Sequence, residues 1–203
     1  EIVKRPEQKF DEQQDTIYID ENKLDMKKHI YLVLNKPQGY ISATEDRTAK
    51  TVLDLVPEQY KRKGLFPAGR LDKDTTGMMI ITDDGEFAHN ILAPRKHIEK
   101  TYRVQIDIDI TEEMKEKFKQ GIVLKDHVCC PATIIVEDKN TALITITEGK
   151  YHQIKRMFGC FGAKVVKLHR ISMGGLQLPS DLEEGQCREL TKEELEKVCI
   201  RDK

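Results

Sequence analysis

The order of its periodic segments constrains this chain most: strand-like runs outnumber helical ones and mostly follow one another. "PATIIVED" is succeeded directly by "TALITITEG". "KTYRVQIDI" alternates, with Tyr102, Val104 and Ile106 on one face. "HIYLVLNKPQGY" reads as a buried strand ending at a Pro–Gly turn, and Met78–Thr82 as an apolar strand closed by Asp84 and Gly85. A doubly wound parallel sheet would need a helix after nearly every strand. The pattern therefore predicts an α+β fold with a mixed, mainly antiparallel sheet. Helices are predicted over "GEFAHNILAP", "TEEMKEKFKQG", "YHQIKRMFGCFG" and "TKEELEKV". Thr111 caps the second of these, and a Thr191–Glu194 capping box opens the last. "IVKRP" and "DTIYID" read as two short strands, and "ENKLDMKK" as a linker.

At 203 residues the chain suits one compact domain with room for a small appendage. It has no apolar run near the ~20 residues a membrane span needs, and its charged opening is unlike a secretory leader. Five cysteines, an odd number with no CxxC among them, argue against a disulfide framework and for a reducing cytoplasm. Cys129 and Cys130 read as small strand residues and not as a zinc site, since adjacent cysteines rarely share one ion and no nearby histidine has zinc spacing. The net charge is −1, so total charge announces no nucleic acid. The charge is nevertheless polarised along the chain. Between Gly149 and Arg170 lie Lys150, Lys155, Arg156, Lys164, Lys167 and Arg170, with no acid among them. For any one basic cluster a solvated surface is the commoner explanation.

Three stretches carry candidate chemistry. "FPAGRLDKDTTGMMIITDDG" sets a charged loop against a buried strand, with Gly69 and Gly77 bracketing "GRLDKDTTG". Apolar Leu71 would anchor Asp72, and an aspartate so held serves as nucleophile or electrostatic stabiliser. "DKDTT" also fits the DxDxT signature of metal-dependent aspartyl phosphotransferases, but "FPAGRL" is not the buried strand that signature requires. In "EGKYHQIKRMF", helical spacing puts His152, Lys155 and Arg156 on one face and turns Ile154, Met157 and Phe158 toward a core. In "HIEKTYRV", Tyr102 lies on the apolar face of its strand, where a plain core tyrosine is the commoner finding.

Together, "AGRLDKDTTGMMIITDDGEFAHNILAPRKHIEKTYRV", "EGKYHQIKRMFGCFGAKVVKLHR" and "GGLQL" resemble the RsuA/RluB/RluE/RluF family of ribosomal RNA pseudouridine synthases. The resemblance runs from about Tyr31 to Val198. The "DTTG" and "HIEKTY" details look more like its small-subunit (16S) branch than its 23S relatives. The resemblance implies a pseudouridine-synthase fold: a central mixed sheet, flanking helices and an RNA-binding cleft, over residues 26–203. It implies that residues 1–25 are the end of an S4-like RNA-binding module. It implies an isomerase of uridine in RNA that needs no cofactor and no metal. Asp72 would be the catalytic carboxylate, and Lys155 its partner, since an opposite charge within ~4–6 Å favours the ionised form. Tyr102 would stack on the target uracil and serve in proton transfer. Arg70 would fill the stack vacated by a flipped nucleotide, and His152, Arg156 and Arg170 would hold phosphates. The implied partner is ribosomal RNA in a small-subunit assembly intermediate, bound by a cytoplasmic monomer with no membrane association.

Overall fold

The computed structural model describes Gln8, Tyr18–Ile19, Asn22–Lys23 and residues 28–200. Its strands are β1 (Tyr18–Ile19), β2 (Asn22–Lys23), β3 (Tyr31–Lys36), β4 (Phe66–Ala68), β5 (Thr76–Thr82), β6 (Lys100–Ile106), β7 (Thr133–Asp138), β8 (Thr141–Ile146), β9 (Val165–Met173), β10 (Leu176–Gln177) and β11 (Cys187–Glu189). The helices are α1 (Gly85–Leu92), α2 (Glu112–Gln120), α3 (Gln153–Gly159) and α4 (Lys192–Val198). Strands β1 and β2 pair as a small hairpin, so the predicted linker begins with a strand. "IVKRP", and most of the stretch expected to be an S4-like remnant, lie outside the described residues. Among those residues, no helix is long and apolar enough to cross a membrane.

The remaining strands form one sheet in the order β11-β3-β5-β9-β6-β8-β7, with β4 beside β5 and β10 beside β9. Every pairing is antiparallel except β5 with β9, which run parallel over only Thr76–Gly77 against His169–Arg170. The expected mixed, mainly antiparallel sheet is what forms, and that short seam joins its two halves.

Both faces of the sheet are covered around the seam. On one face α2 and α3 bring Met114, Phe118, Ile154, Met157 and Phe158 against Leu32, Met79, Val104 and Ile144. On the other, Ala88 and Ile91 of α1 and Val198 of α4 pack with Val33, Met78 and Ile80. A strand buried on both faces has no polar alternation, which is why Met78–Ile81 in β5 is continuously apolar and fully buried. Asp84 caps α1 by accepting a hydrogen bond from the Phe87 N–H at 3.0 Å, so the residues that close β5 start a helix. Thr111 and Thr191 cap α2 and α4 as their sequences predict. Edge strand β7 leaves Ile135 exposed.

At the seam the backbones approach so closely that only glycine fits. Gly77 has φ +99°, and a Cβ there would stand 2.3 Å from the Arg170 carbonyl oxygen. Gly69 has φ +96°, but an added Cβ would meet only the tip of the Leu92 side chain. Gly77→Ala is therefore expected to destabilise the fold by roughly 3 kcal/mol or more, from backbone strain plus overpacking. Gly69→Ala should cost about 1–2 kcal/mol, for the backbone alone. Urea unfolding midpoints of the two variants check this, and equal losses would show that the seam is not the tighter site.

Candidate active site

Residues 69–75 join β4 to β5, and several of their backbone groups are bonded to neighbouring segments. The Ser42 hydroxyl donates to the Leu71 carbonyl at 2.8 Å and accepts from the Leu71 N–H at 2.9 Å. The Thr75 N–H closes a turn on the Asp72 carbonyl at 3.1 Å, and the Gly39 N–H donates to the Lys73 carbonyl at 2.8 Å. The Lys36 ammonium, fully buried, donates to the carbonyls of Thr75 at 2.7 Å and Pro37 at 3.1 Å. Leu71 is buried and anchors the loop from within. These bonds, at Leu71, Asp72, Lys73 and Thr75, tie the backbone of the loop down although its side chains are charged.

Helix α3 faces this loop. Its start is unusual: His152, at the N-cap position, has φ 48° and ψ 34°, a left-handed conformation that costs a non-glycine residue of order 1–3 kcal/mol. Gln153 holds the turn, accepting from the Lys150 N–H at 2.9 Å and donating to Glu148 at 2.8 Å. The turn aims two basic side chains at one carboxylate. Lys155 Nζ lies 2.9 Å from Asp72 Oδ2, and His152 Nε2 lies 3.4 Å from Asp72 Oδ1. Lys155 also donates to Asp74 Oδ1 at 2.6 Å. Burial pulls the Lys155 ammonium down, but its hydrogen bonds to Asp74 and Asp72 and their charges outweigh this and hold it above the ordinary lysine range. Burial pushes the Asp74 carboxyl up, and the Lys155 bond and charge more than reverse it, leaving it below its usual value.

Asp72 stands at the mouth of a pocket of about 70 Å³, which opens into a cleft of about 610 Å³. Buried Tyr102 on β6, Ile146, Ile154 and Leu168 form the apolar wall of the pocket. Exposed Arg70 and Lys150 line both pocket and cleft. The structure thus brings Asp72, Tyr102, Lys155, His152 and Arg70 to one place. Asp74, Ser42 and Lys36 belong to the same assembly and were not among the residues expected from sequence. Asp74 carried a signal, being two residues from Asp72 in the charged loop. Ser42 and Lys36 carried none, since their roles depend on which carbonyls a distant segment presents.

The expectations for Arg170 and for one shared helical face need correction. Arg170 is not available to a phosphate: it is buried in β9 at the seam, with its Nε donating to the Met78 carbonyl at 2.6 Å. It was placed with a basic surface because it closes an acid-free run, but the helices on both faces enclose it. Arg156 is already engaged by an ion pair with Asp126 and a 3.4 Å bond to the Tyr151 carbonyl. Nor do His152, Lys155 and Arg156 form one helical face. His152 precedes α3, Lys155 turns to Asp72, and Arg156 turns to Asp126.

The sheet, the helices on its two faces and the cleft over the seam define a pseudouridine-synthase fold. A solved structure described as that of a pseudouridylate synthase superposes with a TM-score of 0.80 at 38% identity, covering 98% of this chain and 86% of that one. The family model for RNA pseudouridylate synthase matches residues 30–159, and the chain belongs to that family of isomerases. It is 44% identical over 190 residues to the RNA pseudouridine synthase YtzG of Bacillus subtilis, covering 91% of this chain and 79% of that protein. It is also 44% identical over 170 residues to ribosomal small subunit pseudouridine synthase A of Escherichia coli, covering 83% and 73%. The phosphotransferase alternative falls with this membership and with the position of Asp72 on a loop instead of at the end of a buried strand.

The Lys155 network makes a prediction in pH. Asp74, with its carboxyl lowered, contributes stability that is present above the unfolded value of 3.8 and lost as pH falls through the folded one. Lys155, with its ammonium raised, contributes below 10.5 and loses that contribution as pH rises through the folded value. The network is therefore expected to stay closed from mildly acidic to strongly alkaline solution. Nitrogen NMR of labelled lysine should find Lys155 titrating above 10.5, and Asp74→Asn should bring that titration down. An unchanged titration in the variant would show that Asp74 does not hold the ammonium.

Proposed function

We propose that this chain isomerises one uridine of small-subunit ribosomal RNA to pseudouridine, with Asp72 as its catalytic carboxylate. The observation that carries the reading is Lys155 Nζ at 2.9 Å from Asp72, over a pocket walled by Tyr102, in a chain of this family. The small-subunit assignment rests on the likeness to the Escherichia coli enzyme of that name.

In the reaction the N1–C1′ bond breaks, the uracil turns, and C5 bonds to C1′. The C5 proton leaves and N1 gains one, so atoms and electrons balance without a redox partner. The residues divide the work by position. Asp72 acts at the sugar, on a loop whose carbonyls are tied down by Ser42, Gly39 and Lys36. Lys155 presents positive charge to that carboxylate from the other side of the cleft, and His152 a ring nitrogen. Tyr102 offers its ring to the uracil and its hydroxyl to proton transfer. A uridine inside a helix must be extruded at a cost of a few kcal/mol, and exposed Arg70 at the pocket rim fills the vacated stack. Lys150 and Lys73, exposed along the cleft, meet the phosphates. The substrate is an assembly intermediate of the small subunit, where the target strand is still open.

Asp72→Asn should abolish pseudouridine formation, while RNA affinity changes less than about threefold, or ~0.7 kcal/mol. Substantial turnover by this variant would overturn the assignment. Pseudouridine mapping of ribosomal RNA from cells with and without the protein should show one small-subunit site lost. Loss of a large-subunit site would correct the substrate and leave the chemistry in place.

Binding should be salt-sensitive although net charge is near zero. Arg70→Ala and Lys150→Ala should each flatten the slope of log affinity against log salt by roughly 0.7–0.9. Lys155→Ala should leave the slope alone and lower the single-turnover rate at saturating RNA. Titrations at several salt concentrations, followed by single-turnover assays, separate these effects. A Lys155→Ala variant that binds weakly but turns over normally would remove Lys155 from the active site.

A further inference from the structure

We infer a second site, for a thiophilic divalent cation of the zinc type, formed by His127, Cys129 and Glu148. One donor atom from each of these three residues lies within 4.8 Å of the other two. Cys129 Sγ and His127 Nε2 are 3.6 Å apart. Zinc bonds of about 2.3 Å to sulfur and 2.0–2.1 Å to nitrogen, at a tetrahedral angle, put those two ligands about 3.5–3.6 Å apart. A bare thiol–imidazole hydrogen bond would explain that distance alone, but not the third donor. Glu148 is 7% exposed, and among the described residues no lysine, arginine or histidine forms an ion pair with it. A carboxylate buried beside a thiol and an imidazole is costly unless a cation joins them. Glu148 accepts from the Cys130 N–H at 2.9 Å and from Gln153 at 2.8 Å, both on Oε1, and its carboxylate is also bonded by the Cys130 side chain, so it is held in place beside the other two donors.

The surroundings point the same way. Asp126 Oδ1 lies 3.2 Å from His127 Nδ1, on the side of the ring away from the cluster. Metal-bound histidines commonly have such a carboxylate on the ring nitrogen away from the ion, where it orients the ring. Asp126 is in turn held by Arg156 of α3. Three protein ligands leave a fourth position for water. On binding, the Cys129 thiol gives its proton to solvent, and no bond of the RNA reaction is involved. The adjacent pair Cys129–Cys130 gave no sign of this grouping in the sequence, because the third donor, Glu148, comes from beyond the end of β8, far along the chain. The ion would be structural. It would fasten the 126–129 segment to Glu148, whose Oε1 already holds Gln153 at the start of α3. The site would therefore steady the helix that carries Lys155.

The test uses untagged protein, stripped with a chelator and titrated with zinc against a chromophoric competitor. One equivalent should bind. Cobalt(II) in its place should show a thiolate-to-metal charge-transfer band. Cys129→Ser and His127→Ala should weaken binding at least about a hundredfold, and Asp126→Asn about 10–100-fold through the histidine. Cys130→Ser and Cys160→Ser should bind as wild type. Circular dichroism of the metal-free variants separates lost ligation from lost folding. If Cys129→Ser does not fold, the wild-type cobalt spectrum and His127→Ala decide. No binding by wild type, cobalt binding without the charge-transfer band, or binding lost in Cys130→Ser but kept in His127→Ala would each overturn the proposal.

Discussion

Two residues of parallel pairing hold this sheet together. Thr76 and Gly77 meet His169 and Arg170, and on either side lie antiparallel strands that share no other ladder. The pocket is built around that contact. Thr75, at the end of the Asp72 loop, precedes it, and Leu168 on β9 and Tyr102 on the next strand flank it. Asp72 is thus fixed relative to Tyr102 by the same contact that fixes one half of the sheet relative to the other. This arrangement holds reacting groups on rigid elements even though the carboxylate itself is on a loop.

The electrostatics have the same centre. Burial pulls the ammonium of Lys36 to about 8, against the pull of Asp74, Asp72 and Glu184. Burial and the charge of Arg170 bring Lys100 to about 8 as well. Three cationic side chains therefore lie inside the sheet near the seam, bonded mainly to backbone carbonyls. The acids of the cleft, Asp72 and Asp74, stand above them and are paired by Lys155. A chain whose total charge is almost nil thus concentrates positive charge beneath and around one carboxylate.

Much of the fold was legible in the sequence because its signals are local. Alternation in β6, turns after strands, and the caps of α2 and α4 depend on a few neighbouring residues. The loop carrying Asp72 was legible because Gly69 and Gly77 bracket it and Leu71 anchors it. Arg170 was misread because burial depends on what covers a strand, and its own segment, "KLHRIS", gives no sign of two covered faces. The partners of Arg156 and Lys155 were partly hidden for a related reason. Helical spacing says which residues share a face, but not which acids the facing loops bring. His127, Cys129 and Glu148 share no sequence motif, since a loop and a strand end supply them separately.

His152 shows how such a site weighs on the rest of the molecule. Its backbone is held in a left-handed conformation that glycine would adopt without strain, and its ring, stacked on Tyr151 at 3.9 Å, reaches toward Asp72. Selection for thermal stability alone would favour glycine at this position, and selection for RNA modification would favour the imidazole. The two demands cannot both be met by one side chain. Consensus or stability-driven redesign of this protein should therefore leave position 152 fixed, because there a gain in melting temperature would come at the expense of turnover.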